Sequence, residues 1–176
     1  MPIHAPTPLA ASARRALRDS ANTPAASAIT RVRRAATSDL DELVALEERS
    51  FRMDRLSRAQ YRRHLDSDSA VVLVATDSHH LLGSAVVFFR KRCAVARLYS
   101  LATQPEARGQ GVGAALLDAA ADTGRRRGCV ALRLEVRIDN VAAIGLYERE
   151  GWHRIGRYAA YYQDGADAWR YEKPLG

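Results

Sequence analysis

The sequence predicts a mixed α/β (α+β) fold, with seven strand-like and four helical segments in the order β-αα-βββ-α-β-α-ββ. Three observations carry that expectation. The apolar runs "AVVLVA" and "AVVFF" have strand length and fall well short of the ~20 residues of a membrane span. Helical periodicity is confined to four segments, each with a capping signal at one end. Finally, "LRLEVRIDN" (132–140) alternates Leu132, Leu134, Val136 and Ile138 with Arg133, Glu135 and Arg137, so its charges share one side of a sheet. That alternation has two readings: an ordinary solvent-facing sheet face, or the wall of a groove that needs a carboxylate.

Taken in order, residues 1–29 are rich in Ala, Ser and Pro and read as a flexible tail ahead of one domain at 30–176. The segment bears arginines and almost no acid, so it also resembles a transit peptide. "ITRVRRAA" reads as a first strand. "TSDLDELVALEERSF" has helical spacing, with Ser38 and Asp41 as a capping box, and "SRAQYRRHL" repeats the signal with Ser57 and Gln60. Three strands are expected over Ala70–Thr76, Leu81–Arg90 and Val95–Thr103, separated by "DSHH" and "KRC". A helix from Val112 to Arg127 closes at Gly128. The alternating strand follows, then a helix from Val141 to Glu150 closed by Gly151, and "WHRIGRY" and "AWRYEKP" finish as strands. The order is no regular βαβ repeat.

A chain of 176 residues suits one domain with a real core. Its 47% hydrophobic and 27% charged content is ordinary for a globular protein. The net charge of +7 favours an anionic cofactor or polyanionic partner, or is only a solvated surface. Cys93 and Cys129 form neither a disulfide framework nor a metal site. CxxC and HExxH spacings are absent, and His79 and His80 sit in a turn, so no metal is expected. A reducing, cytoplasmic setting without a membrane partner follows by default.

"PEARGQGVGAALLDAAA" places Arg108, Gly109, Gln110, Gly111, Val112, Gly113 and Ala114 at a helix start. Glycines there leave backbone N–H groups open to a close ligand, and the helix dipole favours a phosphate. A GK[ST] element is missing, and the GxGxG spacing stands six residues beyond its strand, against a dinucleotide fingerprint. In "LEVRIDNVAAIGLYEREGW", Asn140 and Tyr147 are seven apart and share a helix face across the small Ala143. Asn140 is either an N-cap or a ligand to an extended chain. Tyr147 is either a packing residue or reaches that chain's far end.

The R-x-x-G-x-G pattern of Arg108, Gly111 and Gly113 resembles the acyl-CoA pyrophosphate loop of the GNAT acetyltransferases. "LEVRIDNVAAIGLYEREGW" resembles the second signature of the bacterial ribosomal-protein-alanine N-acetyltransferases within that superfamily. The resemblance spans roughly Ile29 to Pro174. It implies the GNAT fold, a mixed sheet of about seven strands with helices on both faces, and acetyl-CoA as co-substrate. It further implies Glu135 as general base and Tyr147 as general acid. Pantetheine contacts would fall on Leu101, Ala102, Thr103 and Asn140, and the pyrophosphate on Arg108 to Ala114. Tyr161 and Tyr162 match the family's tyrosine pair, and either frame an acceptor peptide or are edge-strand aromatics. One departure is that "ERSFRMDRLSRAQ" lacks the aromatic–proline segment of the ribosomal-protein enzymes, in a loop that helps receive the acceptor.

The implied chemistry is acetyl transfer to a primary amine by direct attack in a ternary complex. An α-amine has a pKa of ~7.7–8 and lysine ~10.4, so a proton-accepting carboxylate assists either one. The expected acceptor is a protein or peptide N-terminus, with lysine or a small-molecule amine as alternatives. A rival of another class is a non-catalytic module that senses acyl-CoA or holds nucleic acid. The sequence has no basic helix interleaved with stacking aromatics, which weighs against nucleic acid.

Overall fold

The computed structural model describes residues 31–51 and 55–176. The expected tail, the first two residues of "ITRVRRAA" and residues 52–54 of the loop between the first two helices lie outside the described residues. The strands are β1 (Arg31–Arg34), β2 (Ala70–Thr76), β3 (Leu81–Phe88), β4 (Val95–Thr103), β5 (Ala131–Arg137), β6 (His153–Tyr158) and β7 (Ala168–Pro174). The helices are α1 (Leu40–Ser50), α2 (Arg58–Leu65), α3 (Val112–Arg126) and α4 (Val141–Arg149). They follow the predicted order.

All seven strands form one sheet, in the order β1-β2-β3-β4-β5-β7-β6. Every pairing is antiparallel except β4 with β5. Helices cover the sheet unequally, and the strand sequences follow that coverage. Leu40, Leu43, Leu46 and Tyr61 of α1 and α2 pack on Val72, Val74 and Val86 on one face. Leu116, Leu117 and Ala120 of α3 and Tyr147 of α4 pack on Val71, Leu73, Val87, Leu132, Leu134 and Val136 on the other. β2 is covered on both faces and is apolar without a break, as a doubly buried strand must be. β5 is covered only by α3 and α4, so it alternates. Its charged side faces the side of α1 and α2, beyond their reach.

The sequence signals mostly act as expected. Ser57 accepts from the Gln60 N–H (3.3 Å) while Gln60 accepts from the Ser57 N–H (2.8 Å). Gly128 and Gly151, at φ +74° and +77°, end α3 and α4 in the left-handed region that suits glycine. The box of Ser38 and Asp41 is a correction. A short 3-10 turn over Thr37–Asp39 precedes α1, and the Asp39 carboxylate accepts the Ala36 N–H at 2.7 Å. Arg33 donates to both Asp39 oxygens, at 2.7 and 2.8 Å, which holds that carboxyl below its ordinary pKa. Strand β3 ends at Phe88, two residues before the expected limit. Glu47 on α1 is a buried carboxylate that accepts from the Leu56 N–H (2.9 Å) and the Tyr61 hydroxyl (2.8 Å), and so ties α1 to α2. No described helix is long and apolar enough to cross a membrane.

Candidate active site

The site begins where β4 and β5 part. Their parallel pairing covers only Val95–Arg97 against Ala131–Arg133. On its other edge β4 carries a bulge: Val87 pairs with Leu98 and Val86 with Ser100, which leaves Tyr99 as the extra residue. A bulge bends and twists its strand. Beyond it, Leu101–Thr103 and Leu134–Arg137 form the two lips of a gap, with backbone groups of β4 not spent on β5.

The glycine loop stands at the far end of β4. A 3-10 turn over Pro105–Ala107 leads to Arg108, Gly109, Gln110 and Gly111, all exposed. Gly109 and Gly111 have φ of +74° and +81°, and a β-carbon at either would meet no atom within 4 Å. Glycine is needed there for the backbone conformation, and the space above it is open. No side chain caps α3, so its first N–H groups are free for an anion. Val112 is buried, and Ala102 faces α1 and α2, so each can offer a ligand only its backbone. A β-carbon at Gly113 would lie 2.8 Å from Leu146 and 4.0 Å from Thr103, which shows how closely α3, α4 and β4 converge. Ala114 follows in the same turn. This donor set fits a pyrophosphate, and the gap fits an extended chain leading away from it.

Glu135 lies on the β5 lip, its side chain 12% exposed. Arg97 of β4 donates from Nε to Glu135 Oε2 at 2.8 Å, its Nη2 stands 2.8 Å from the same oxygen in an ion pair, and Nη2 donates to the Tyr161 hydroxyl at 2.6 Å. Burial works against the charged guanidinium, yet Glu135 and Tyr161 outweigh it and keep the Arg97 pKa raised. Glu135 Oε1 has no protein partner among the described residues. One oxygen is anchored and the other is available.

Tyr147 is buried, its ring 5.8 Å from Trp152 and 6.4 Å from Tyr171. Burial, then the nearby Tyr162, pushes its pKa up, so the phenol keeps its proton at neutral pH. Asn140 is the N-cap of α4, its Oδ1 accepting the Ala143 N–H at 3.2 Å. Its amide nitrogen remains as a donor for a ligand. Tyr161 stacks on Tyr158 (5.6 Å) and meets Tyr162 edge-on (5.1 Å), forming an aromatic wall beside Glu135. Arg133 pairs with Glu172 at 2.6 Å. Arg137 bridges Asp139 (3.1 Å) and Asp164 (2.9 Å) and lies 5.0 Å over Tyr162, so it braces the turn that carries the tyrosines.

Leu101–Thr103 and Glu135 border this gap, with the glycine loop at the end of β4, whereas Tyr147 is buried against Trp152 and Tyr171; the structure adds Arg97 beside Glu135. Val95, Arg97 and Tyr99 alternate with buried Ala96 and Leu98, the same signal as in β5. Cavities of about 270 and 390 Å³ lie elsewhere, against β1 and beside α1, and include neither Glu135 nor Tyr147.

The model of the acetyltransferase (GNAT) family matches residues 38–152. N-alpha-acetyltransferase 30 of Schizosaccharomyces pombe is 33% identical over 118 residues, 65% of this chain and 79% of that protein. A putative [ribosomal protein bS18]-alanine N-acetyltransferase of Bacillus subtilis is 31% identical over 138 residues, 78% of this chain and 90% of that one. Among solved structures, the ribosomal-protein-S18-alanine N-acetyltransferase of Escherichia coli superposes with a TM-score of 0.73 at 28% identity, covering 83% of this chain and 94% of that chain.

Proposed function

The chain belongs to the GNAT acetyltransferase family, and from that premise we propose that it moves acetyl from acetyl-CoA to the α-amine of a protein or peptide N-terminus in the cytoplasm. The observation that carries the site assignment is Glu135, held by Arg97 through one oxygen and open through the other beside the β4–β5 gap. The relatives named for N-terminal alanine and N-alpha acetylation support the choice of acceptor.

In this reading the pyrophosphate rests on the N–H groups at the start of α3, with Arg108 at its rim, and the pantetheine chain runs along Leu101–Thr103 toward Asn140. The neutral amine attacks the thioester carbon. The N–C bond forms, the carbonyl oxygen gains charge that backbone N–H groups near Leu101 stabilise, and the amine's proton passes to Glu135 Oε1. The C–S bond then breaks. A thiol titrates near ~8.5 and a phenol near ~10, and burial lifts Tyr147 further. Tyr147 therefore steadies the departing sulfur by donating a hydrogen bond, more than by giving its proton up outright. Neither cysteine is required.

The test is Glu135→Gln with a peptide panel varied at the first residue, beside a lysine-bearing, N-terminally blocked control. Turnover should fall by ~10²–10⁴-fold while acetyl-CoA affinity stays nearly the same. Unaltered turnover across pH removes Glu135 from the mechanism. Acetyl-CoA binding without CoA release from any amine would favour a sensor.

A further inference from the structure

We propose that the preferred acceptor carries a carboxylate side chain within its first two residues, and that Arg170 of β7 recognises it. This rests on the reading of Glu135 as the group beside the reacting amine. Arg170 is the direct cross-strand partner of Glu135 and lies on the same open face, opposite buried Tyr171. Its side chain crosses Gly156, where a β-carbon would lie 3.9 Å from its Cδ, and its guanidinium sits 4.6 Å over the Tyr158 ring. Tyr158 stacks on Tyr161, which receives the hydrogen bond from Arg97. Two guanidinium groups thus flank Glu135, joined by a pair of stacked tyrosines.

The other arginines of this face are matched with acids: Arg97 with Glu135, Arg133 with Glu172, and Arg137 with Asp139 and Asp164. Arg170 has no acidic partner among the described residues, and its Nε is buried without any hydrogen bond. A buried donor left unpaired is costly, and few are tolerated without a reason. That nitrogen is sealed, but the terminal nitrogens of the same guanidinium are not, and they face no acid, so a carboxylate arriving with the substrate can pair with them. Electrostatics agree, because an amine approaching a carboxylate between two cations gains from bringing a negative charge of its own. The reach is suitable as well. Cross-strand β-carbons stand ~4.5–5.5 Å apart and an extended chain advances ~3.3–3.6 Å per residue. With the amine at Glu135, a carboxylate on the first or second residue can meet Arg170.

The experiment compares kcat/KM for peptides that begin Ser-Glu, Ser-Gln and Ser-Lys on one common tail, with a second series that begins Glu, Gln and Lys. In at least one series the acidic peptide should exceed the neutral one by about fivefold, the size of one partly desolvated ion pair. The basic peptide should rank last, and added salt should narrow the spread. Arg170→Gln should bring the acidic-to-neutral ratio to about one. Arg170→Lys keeps the charge without the Nε donor and should retain part of it. Equal rates for the acidic and neutral peptides, or a ratio that survives Arg170→Gln, overturn the inference alone. CoA release from none of the peptides overturns the proposed function and the inference with it. If Arg170→Gln does not fold, the wild-type ratio and Arg170→Lys decide.

Discussion

Gly83→Ala tests whether the start of α3 is seated on the sheet as tightly as the site requires. Gly83 lies in β3 opposite Thr103 of β4. A β-carbon there would stand 2.8 Å from the Ala102 carbonyl oxygen, 2.9 Å from Val112 Cγ1 and 3.0 Å from Leu116 Cδ1. The two side chains can shift, but the carbonyl belongs to a paired strand and cannot turn away cheaply. Overpacking of this kind costs ~1–3 kcal/mol, offset by ~0.4–1 kcal/mol from the stiffer unfolded chain. The net loss is about 1–2 kcal/mol, which in a domain of this size lowers Tm by roughly 2–8 °C. The same push moves Ala102 and Val112, whose backbones border the proposed thioester and pyrophosphate positions, so acetyl-CoA should bind about tenfold more weakly (~1.4 kcal/mol). Thermal melts and calorimetric titration with acetyl-CoA measure both effects. Gly128→Ala is the control. It strains a φ of +74° at the opposite end of α3, so it should lower Tm by a similar amount and leave acetyl-CoA affinity alone. If Gly83→Ala melts at or above the wild-type temperature and binds acetyl-CoA normally, the junction has slack and the packing argument is wrong.

Three further outcomes are expected. Arg97→Met releases Glu135 and Tyr161 together, and should lower kcat about tenfold (~1.4 kcal/mol) with little change in acetyl-CoA affinity. Arg97→Lys should recover part of it, and a faster Arg97→Met enzyme would mean that Arg97 blocks Glu135 instead of orienting it. Tyr147→Phe removes a hydroxyl without a protein partner among the described residues, so stability should hold to within ~0.5 kcal/mol while the chemical step slows. A normal single-turnover rate would end the role assigned to that phenol. Asp39 is held low chiefly by its hydrogen bonds from Arg33. A lowered folded-state pKa contributes stability above the unfolded value of ~3.9 and loses it as pH falls through the folded value. Tm should therefore drop on acidification below about pH 4, and Asp39→Asn should flatten that drop. Equal acid sensitivity in both proteins would assign it to other carboxylates.

What could be read from the sequence follows the range of the interaction concerned. The Ser57–Gln60 cap, the closing glycines and the continuous apolar run of β2 are settled within a few residues, and they stand where expected. The cap of α1 was misplaced because Asp39 answers to Arg33, six residues back on another element, and not to its own helix. Strand order at the C-terminal edge needed a comparison of two strands. β6, "HRIGRY", is exposed at five of its six positions, whereas β7 buries Ala168 and Tyr171, so β7 takes the inner place beside β5 and β6 the edge. An arginine-rich strand is suited to an edge because its charges discourage further pairing. The same reasoning explains why Arg97 could not be read from the sequence. Taken alone, the charged side of β4 and the charged side of β5 each look like a solvated face. The parallel pairing of Arg97 with Arg133 brings together residues separated by a whole helix. Only then does the guanidinium of one strand meet the carboxylate of the next, 38 residues away. A local pattern can say that Glu135 needs a reason to sit beside a core. The register between distant strands supplies Arg97 on one side and an unsatisfied Arg170 on the other, the two cations on which the proposed choice of acceptor rests.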